Sequence, residues 1–382
     1  MNSVSLYIHV PFCASKCRYC SFNSYAGLSH LYERYAEALE EEIGLYGEGV
    51  GRVEAGTVYV GGGTPTVLSV ELVARLLQAC KQHFVLPEDA EISVEANPGT
   101  VDVGYLSALR ELGVNRLSLG VQSFSDEMLA LLGRAHTAAE TRETYHLARK
   151  TGFENVNLDL IYSLPTQTLD QWKADLAEAI DLKPEHLSLY CLTVEEGTPL
   201  AEMISTGQLP FADPDLAADM YSWAEEKLRE AGYGHYEISN WARNGYECQH
   251  NITYWRNRPY LGFGAGAHSL HGGSRYRNVA RPQEYVRRME RGQSCVAERE
   301  EIHGSLEMSE TMIMGLRLCE GVSFHDFEDR FHLPLAAVYG DQIRELVAQG
   351  LLDVNGRGAR LTVRGRLLGN EVFERFLPVS NS

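Results

Sequence analysis

The sequence predicts an α/β protein: a partial six-stranded (β/α) barrel with a small, helical, winged-helix-like domain at its C-terminal end. Three observations predict it. Short β-rich runs alternate with amphipathic helical stretches six times, the order that builds a parallel sheet with right-handed crossovers. The residues that carry chemistry fall where those runs end, which is how barrels assemble one site from several loops. From about Glu307 onward the pattern changes to three helical runs and a terminal hairpin.

The first run, Ser5–His9, leads into a loop holding Cys13, Cys17 and Cys20. Thiolates at i, i+4 and i+7 can converge on one small inorganic cluster, and a conventional [4Fe–4S] cluster takes four of them. With no fourth cysteine nearby in sequence, one iron keeps an exchangeable position, as an open catalytic metal site does. The second run, Thr57–Val60, ends on Gly61-Gly62-Gly63-Thr64-Pro65, and Ser69 precedes the helical stretch Glu71–Phe84. Glu91–Glu95 closes on Glu95-Ala-Asn-Pro98, and Asp102 opens a helix that Gly113 stops. Gln122 follows the fourth run, Arg116–Leu119, and Arg134 stands in Gly133-Arg-Ala-His136. Thr137 with Glu140, and Thr168 with Gln171, have the spacing of capping boxes. Asp159 lies in the fifth run, Asn155–Ile161, and His186–Tyr190 is the sixth.

Beyond the barrel, Leu261 to Ser269 alternates glycine with apolar residues and reads as a close-packed bend beneath the site. Helical runs then span Glu307–Leu318, Ser323–Arg330 and Leu335–Gln349. Leu351–Val354 and Arg360–Val363 flank a Gly-Arg-Gly turn. The expected organisation is a barrel over 1–235, a connecting segment over 236–300 and the C-terminal domain over 301–382.

Composition excludes several classes. Lys and Arg number 34 against 52 Asp and Glu, a net charge of −18, so nucleic acid is not an expected partner. No apolar run approaches the length of a membrane span, and 23% charged with 44% hydrophobic residues is an ordinary soluble balance. The N-terminus lacks the layout of a secretory signal, so the chain reads as cytoplasmic and its 8 cysteines as unpaired. Zinc would need a complete tetrahedral set, and no second closely spaced Cys or His pair follows. Cys80, Cys191, Cys248, Cys295 and Cys319 stand singly and read as mostly buried apolar residues.

Taken one at a time, the remaining candidates have ordinary structural readings. Three glycines after a strand make a turn as readily as a ligand cradle, and they fit neither the dinucleotide nor the phosphate-loop pattern. Glu95 and Asp159 read singly as solvated carboxylates, and Arg134 as a surface arginine. Beside an open cluster they form a set: acids for ribose hydroxyls or an ammonium group, an arginine for a carboxylate, glycines for close approach.

The C-x-x-x-C-x-x-C loop with Tyr19 before its third cysteine, and Gly-Gly-Gly-Thr-Pro after the second strand, resemble the radical S-adenosylmethionine (SAM) superfamily. Tyr-Ile-His-Val-Pro-Phe-Cys (7–13), Gly-Val-Gln-Ser-Phe (120–124), Gly-Arg-Ala-His (133–136) and Asp-Leu-Ile-Tyr-Ser-Leu-Pro (159–165) resemble more closely the oxygen-independent coproporphyrinogen III oxidase group. The resemblance covers nearly the whole chain. It implies that Cys13, Cys17 and Cys20 hold the cluster, that SAM chelates the unique iron, and that an electron cleaves SAM to methionine and a 5′-deoxyadenosyl radical. It also implies that Tyr7, Tyr19, Gly62, Gly63, Thr64, Glu95, Gln122, Arg134 and Asp159 line SAM, with Arg134 meeting its carboxylate and the acids its amine or ribose.

Two departures bear on function. The oxidases carry a further cysteine where this chain has Phe22, and an N-terminal extension ahead of a strand that here begins almost at Met1. Both features match the HemW-type haem chaperone subgroup, whose H-N-x-x-Y-W motif resembles His250-Asn251-Ile-Thr-Tyr254-Trp255. That resemblance implies haem held near His250 and delivered to respiratory haemoproteins, with Arg256 and Arg258 close enough in sequence to meet propionates. Whether His250 would bond iron or the porphyrin edge stays open. Without the motif, His250 reads as a hydrogen-bonded loop residue and Tyr254 and Trp255 as anchors, while Cys248 reads as inert. The alternatives are anaerobic oxidative decarboxylation of coproporphyrinogen III, which Phe22 and the short N-terminus count against, and radical chemistry on another substrate. The resemblance further implies a homodimer under some conditions and membrane contact only through partners. The acidic charge makes the winged-helix-like unit a protein-docking or lid element rather than a DNA reader.

Overall fold

The computed structural model describes residues 3–51 and 53–378. The six expected runs form the strands Val4–Val10, Ala55–Gly62, Glu91–Ala96, Arg116–Gln122, Val156–Tyr162 and His186–Cys191, parallel neighbours in that order. Side chains alternate along each strand. Leu6, Ile8, Val58, Val60, Val94, Leu117, Leu158 and Leu187 are buried in the main core beneath the surrounding helices. The alternate positions (Tyr7, Tyr59, Glu95, Ser118, Asp159) are polar or aromatic, and they turn into the barrel. Both capping boxes form, and Asp102 accepts from Tyr105 N at 2.8 Å, so these helices start where their side chains satisfy the first free amides. Ser69 makes no such bond.

Residues 236–300, expected as a connecting segment, instead supply strands to the sheet. Asn240–Ala242 pairs antiparallel with the sixth strand, and Tyr260–Phe263 pairs parallel with the first. His268–His271, Ser274–Asn278 and Val296–Glu301 follow antiparallel on that side, and Gly234–Glu237 pairs antiparallel with Asn240–Ala242 on the other, giving a twelve-stranded sheet. The six-stranded barrel is open, and an open edge leaves backbone donors and acceptors unpaired until other strands cover it. These strands were missed because they are short, and the last, Val-Ala-Glu-Arg-Glu-Glu, has a mostly exposed polar face.

To reach the first strand the chain crosses under the barrel as the helix Gln249–Trp255. The bend that follows is held by a buried acid. Glu42 accepts from Gly264 N at 2.8 Å, Asn278 Nδ2 at 2.6 Å and the Tyr285 hydroxyl at 2.7 Å. Three neighbouring elements thereby depend on one carboxyl group.

The C-terminal unit has its own core of Met312, Leu316, Phe327, Leu346, Val372 and Phe376, among others. Helices Ser305–Gly315, Phe324–Phe331 and Leu335–Ala348 pack on a three-stranded sheet of Val322–Ser323, Gly358–Leu361 and Leu352–Val354. Among the described residues, no helix is long and apolar enough to cross a membrane.

Candidate functional site

The C-terminal ends of the six parallel strands open on a cavity of about 430 Å³, lined by Cys13, Cys17, Cys20, Tyr19, Gly62, Gly63, Thr64, Glu95, Gln122, Arg134 and Asp159. Twelve residues were expected to hold a cluster or line SAM; of these, Tyr7 alone does not line the cavity. It lies one layer below, its hydroxyl 2.9 Å from His9 Nδ1 and its ring 6.2 Å from that of Tyr59.

The cysteine loop is tied at both ends. Phe12–Cys13 pairs with Tyr25–Ala26, and Lys16 Nζ donates to the carbonyls of Phe22 and Ser24 at 3.3 and 3.1 Å. Gly63 has a reason beyond a turn: a Cβ there would lie 2.5 Å from the Phe12 carbonyl oxygen and 2.9 Å from Cys13 Sγ. The glycines therefore admit the cysteine loop as well as any ligand. Thr64 Oγ1 reaches Cys13 Sγ at 3.8 Å and accepts from Asn97 Nδ2 at 2.8 Å.

Arg134 is a half-buried anchor rather than a free surface residue. Gly133, in the left-handed region at φ 71°, ends the preceding helix, and Arg18 N caps the Leu132 carbonyl at 2.9 Å. This brings Arg134 against the cysteine loop. Its Nη2 donates to Asn97 Oδ1 at 2.6 Å and the Gly120 carbonyl at 2.7 Å, and its Nη1 to Cys17 Sγ at 3.4 Å. Its Nε is buried without a partner among the described residues, leaving a charged donor to be satisfied.

Two acids face the same space. Glu95 accepts from the Tyr59 hydroxyl at 2.8 Å and Gly62 N at 3.0 Å; Asp159 accepts from Asn157 Nδ2 at 2.9 Å and Ser118 Oγ at 3.2 Å. Burial pushes the Glu95 carboxyl up to about 7, and the charge of Asp159 adds to the effect. Burial raises Asp159 as well. Two acids so placed favour a cation between them, since it relieves both desolvation and mutual repulsion. Gln122 sits at φ 67°, beside a register irregularity in its strand. Such strained backbone at a non-glycine residue is concentrated at functional sites.

The donor set suits a cluster with one open iron position: three soft thiols from one loop and a guanidinium beside one of them. A fourth thiol, Cys191, reaches the cavity wall from the sixth strand. It is exposed and Cys319 is half-buried, whereas Cys80, Cys248 and Cys295 are buried, in line with the expectation that most of the five single cysteines are. Sequence reasoning did not single out Tyr59, Ser118 or Tyr190, which also line the cavity. They stand on other strands than Glu95 and Asp159, Ser118 directly beside Glu95 in register, so only cross-strand pairing brings them to the cavity.

His250 lies at the opposite end of the barrel, on the crossing helix. It is buried, its Nδ1 lies 2.7 Å from Thr57 Oγ1, and its Nε2 lies 2.8 Å from the Tyr254 hydroxyl. Burial holds the imidazole down to about 3, with the Arg116 charge acting in the same direction. Glu91 caps this helix, accepting from Gln249 N at 3.0 Å and His250 N at 3.1 Å. Trp255 packs under Arg317 at 4.4 Å, and Arg256 pairs with Glu320 at 3.0 Å. In this arrangement His250 is a hydrogen-bonded structural residue with no nitrogen free for iron, although it sits on a helix rather than the loop expected for that role. Its ring stacks on Tyr59 at 5.0 Å, so the barrel floor connects through Tyr59 to Glu95.

Residues 7–179 match the family described as the radical SAM superfamily, and residues 307–368 match the HemN C-terminal domain. The chain is 38% identical to the heme chaperone HemW of Bacillus subtilis over 98% of this chain and 99% of that protein. It is 38% identical to the mouse mitochondrial radical S-adenosyl methionine domain-containing protein 1, over 98% of this chain and 87% of the relative. Among solved structures, coproporphyrinogen III oxidase (HemN) from Escherichia coli, described as a radical SAM enzyme, superposes with a TM-score of 0.86 at 26% identity, covering 98% of this chain and 90% of the other.

Proposed function

The chain belongs to the HemW family of the radical SAM superfamily, and from that premise we propose that it is a haem chaperone, holding a [4Fe–4S] cluster and SAM at the barrel mouth and passing haem to respiratory haemoproteins. Superfamily membership implies the cluster and SAM, and the relatives' name supports haem as cargo. The observation that carries the reading of the mouth is the convergence of three thiols, Arg134 and two raised carboxyls on one cavity.

Cys13, Cys17 and Cys20 would hold the cluster, which when bound supplies the electron that cleaves the SAM sulfonium. The chain's own residues do the positioning. Arg134, fixed by Asn97 and Gly120, offers positive charge beside Cys17 for the carboxylate of SAM. Glu95 and Asp159 lose their mutual repulsion when a cation enters, and Gly62 and Tyr59 hold the Glu95 carboxylate in place once it ionises.

Arg134→Ala should weaken SAM binding to the reconstituted protein about ten- to a hundredfold, the worth of a charge-assisted hydrogen bond at ~1.5–3 kcal/mol. Calorimetric titration checks this. Undiminished affinity would refute the assignment of this cavity to SAM.

The function itself is tested by anaerobic haem titration of the wild-type protein, following the Soret band that survives gel filtration, with an assay for protoporphyrinogen alongside. Retained haem and no protoporphyrinogen is the expected result. The second reading, coproporphyrinogen oxidation, draws on the similarity to HemN. Product formation without haem retention would establish it and overturn the chaperone reading.

A further inference from the structure

On the other side of the cysteine loop from the cavity lies a broad groove of about 1100 Å³. Lys16, Phe22 and Tyr25 line it from the loop; His268, Arg281 and Arg287 line it from the sheet extension and the helix beyond. Three properties coincide in it.

The first is charge. In a chain of net charge −18, Lys16, Arg281 and Arg287 have no carboxylate partner among the described residues, whereas Arg277 beside them is paired with Glu298 and Arg288 with Glu284. Unneutralised guanidinium groups in a shared groove favour a ligand bearing more than one carboxylate. The second is apolar surface. The Phe22 ring is 68% exposed at the edge of the loop, a position that leaves its face without a protein partner.

The third is a free imidazole. His9, His136, His186, His235 and His250 each have a ring nitrogen within hydrogen-bond distance of a protein group. His268 is exposed and its ring has no hydrogen-bond partner among the described residues, as is also true of exposed His30, His146 and His303, but of these it is the one that lines the groove. Partial burial and the charges of Arg277 and Arg275 hold it below the ordinary histidine value, which keeps it in the neutral form that binds metal.

We propose that haem docks in this groove, with His268 facing its iron, Arg281 and Arg287 on its propionates and Phe22 against the macrocycle. The proposal rests on the haem-chaperone reading and deepens it by placing the cargo where release is unobstructed. Ser21, Phe22 and Ser24 line both the groove and the cavity, so the cysteine loop is a wall common to the two sites. Haem seated here would touch the loop that carries the cluster ligands, whereas the barrel floor at His250 lies at the far end of the strands.

The test is anaerobic haem titration of the full chain and three variants: His268→Ala, the double variant Arg281→Ala/Arg287→Ala, and His250→Ala. His268→Ala should raise the Kd at least tenfold and shift the Soret maximum. The double arginine variant should raise the Kd at least tenfold with the maximum unmoved. Haem dimethyl ester, which lacks the propionate charges, should bind wild type about as weakly as haem binds the double variant. The substituted groove residues are exposed, so thermal melting and cluster iron content should stay at wild-type values and serve as folding controls. Wild-type affinity and spectrum in both groove variants, with haem lost from His250→Ala, would overturn the groove while leaving the chaperone reading intact. Failure of the wild-type protein to bind haem would overturn the chaperone reading itself.

Discussion

Cys17→Ala should leave the protein folded and unable to hold its cluster. The Cys17 side chain is half-buried, and its sulfur accepts from Arg134 Nη1 at 3.4 Å. The backbone bond it makes, Cys20 N to the Cys17 carbonyl at 3.3 Å, survives in alanine. Lys16 and the Phe12–Tyr25 pairing hold the loop from outside the thiol set. Removal of the sulfur therefore takes away one of the three thiols proposed to hold the cluster at little cost to folding. After anaerobic reconstitution, iron and sulfide content and the brown absorption should fall to background while the melting temperature changes little. Cys191→Ala is the control: it lines the same cavity from another strand, outside the loop, and should keep its full iron complement. Iron retained in Cys17→Ala would refute the cluster assignment, and iron lost in Cys191→Ala would make that thiol a fourth ligand.

Glu42→Ala should be the most destabilising single change among the polar residues named here. It strands the Gly264 amide in a buried site and leaves the Asn278 amide group and the Tyr285 hydroxyl with only the Gly264 carbonyl at 3.0 Å and the Ala38 carbonyl at 3.4 Å. An unsatisfied buried group costs about 1–3 kcal/mol and a lost hydrogen bond about 0.5–1.5 kcal/mol, so a loss of roughly 2 kcal/mol or more is expected, a large share of the ~5–15 kcal/mol that typically separates folded from unfolded chains. Denaturant titration at fixed pH measures it. A loss within experimental error would mean that water or relaxation satisfies all three donors.

The same carboxyl carries a pH signature. Burial pushes Glu42 up to about 7 in the folded protein, against an unfolded value of 4.5. The folded state therefore binds the proton more tightly. Unfolding releases it between those values, so this contribution is full below about 4.5 and is lost as pH rises through about 7. The wild-type melting temperature should decline over that window more steeply than that of Glu42→Gln, whose amide does not titrate. Equal slopes would remove Glu42 as the cause.

Local chemistry made much of the molecule legible. All six barrel strands fall where β-rich runs stand, and their extra residues lie mostly at the C-terminal ends, Gly61-Gly62 and Gly120 to Gln122, where glycine and polar side chains weaken the apolar signal. The capping boxes at Thr137 and Thr168 were readable because a cap is satisfied within four residues of chain. The cysteine loop was readable because its ligands are neighbours. Pairing in space left no such mark. Asn240–Ala242 and Tyr260–Phe263 are strands because the open barrel offers them edges, and nothing within a few residues of either announces that partner.

The sequence by itself determined the order of strands and helices, the loop of three thiols and the family to which they belong, because each is written in residues adjacent along the chain. Only the tertiary structure decided which hydrogen bonds the two histidines make. His250 stands in the recognisable motif, but it folds onto Thr57 and Tyr254, which come to it from a strand 193 residues away and from its own helix, and both nitrogens are taken. His268, unremarkable among glycines, ends beside arginines from a different element with its ring unbonded. A histidine's capacity to bind iron depends on whether its nitrogens are already occupied, and that is settled by long-range packing rather than by the residues next to it.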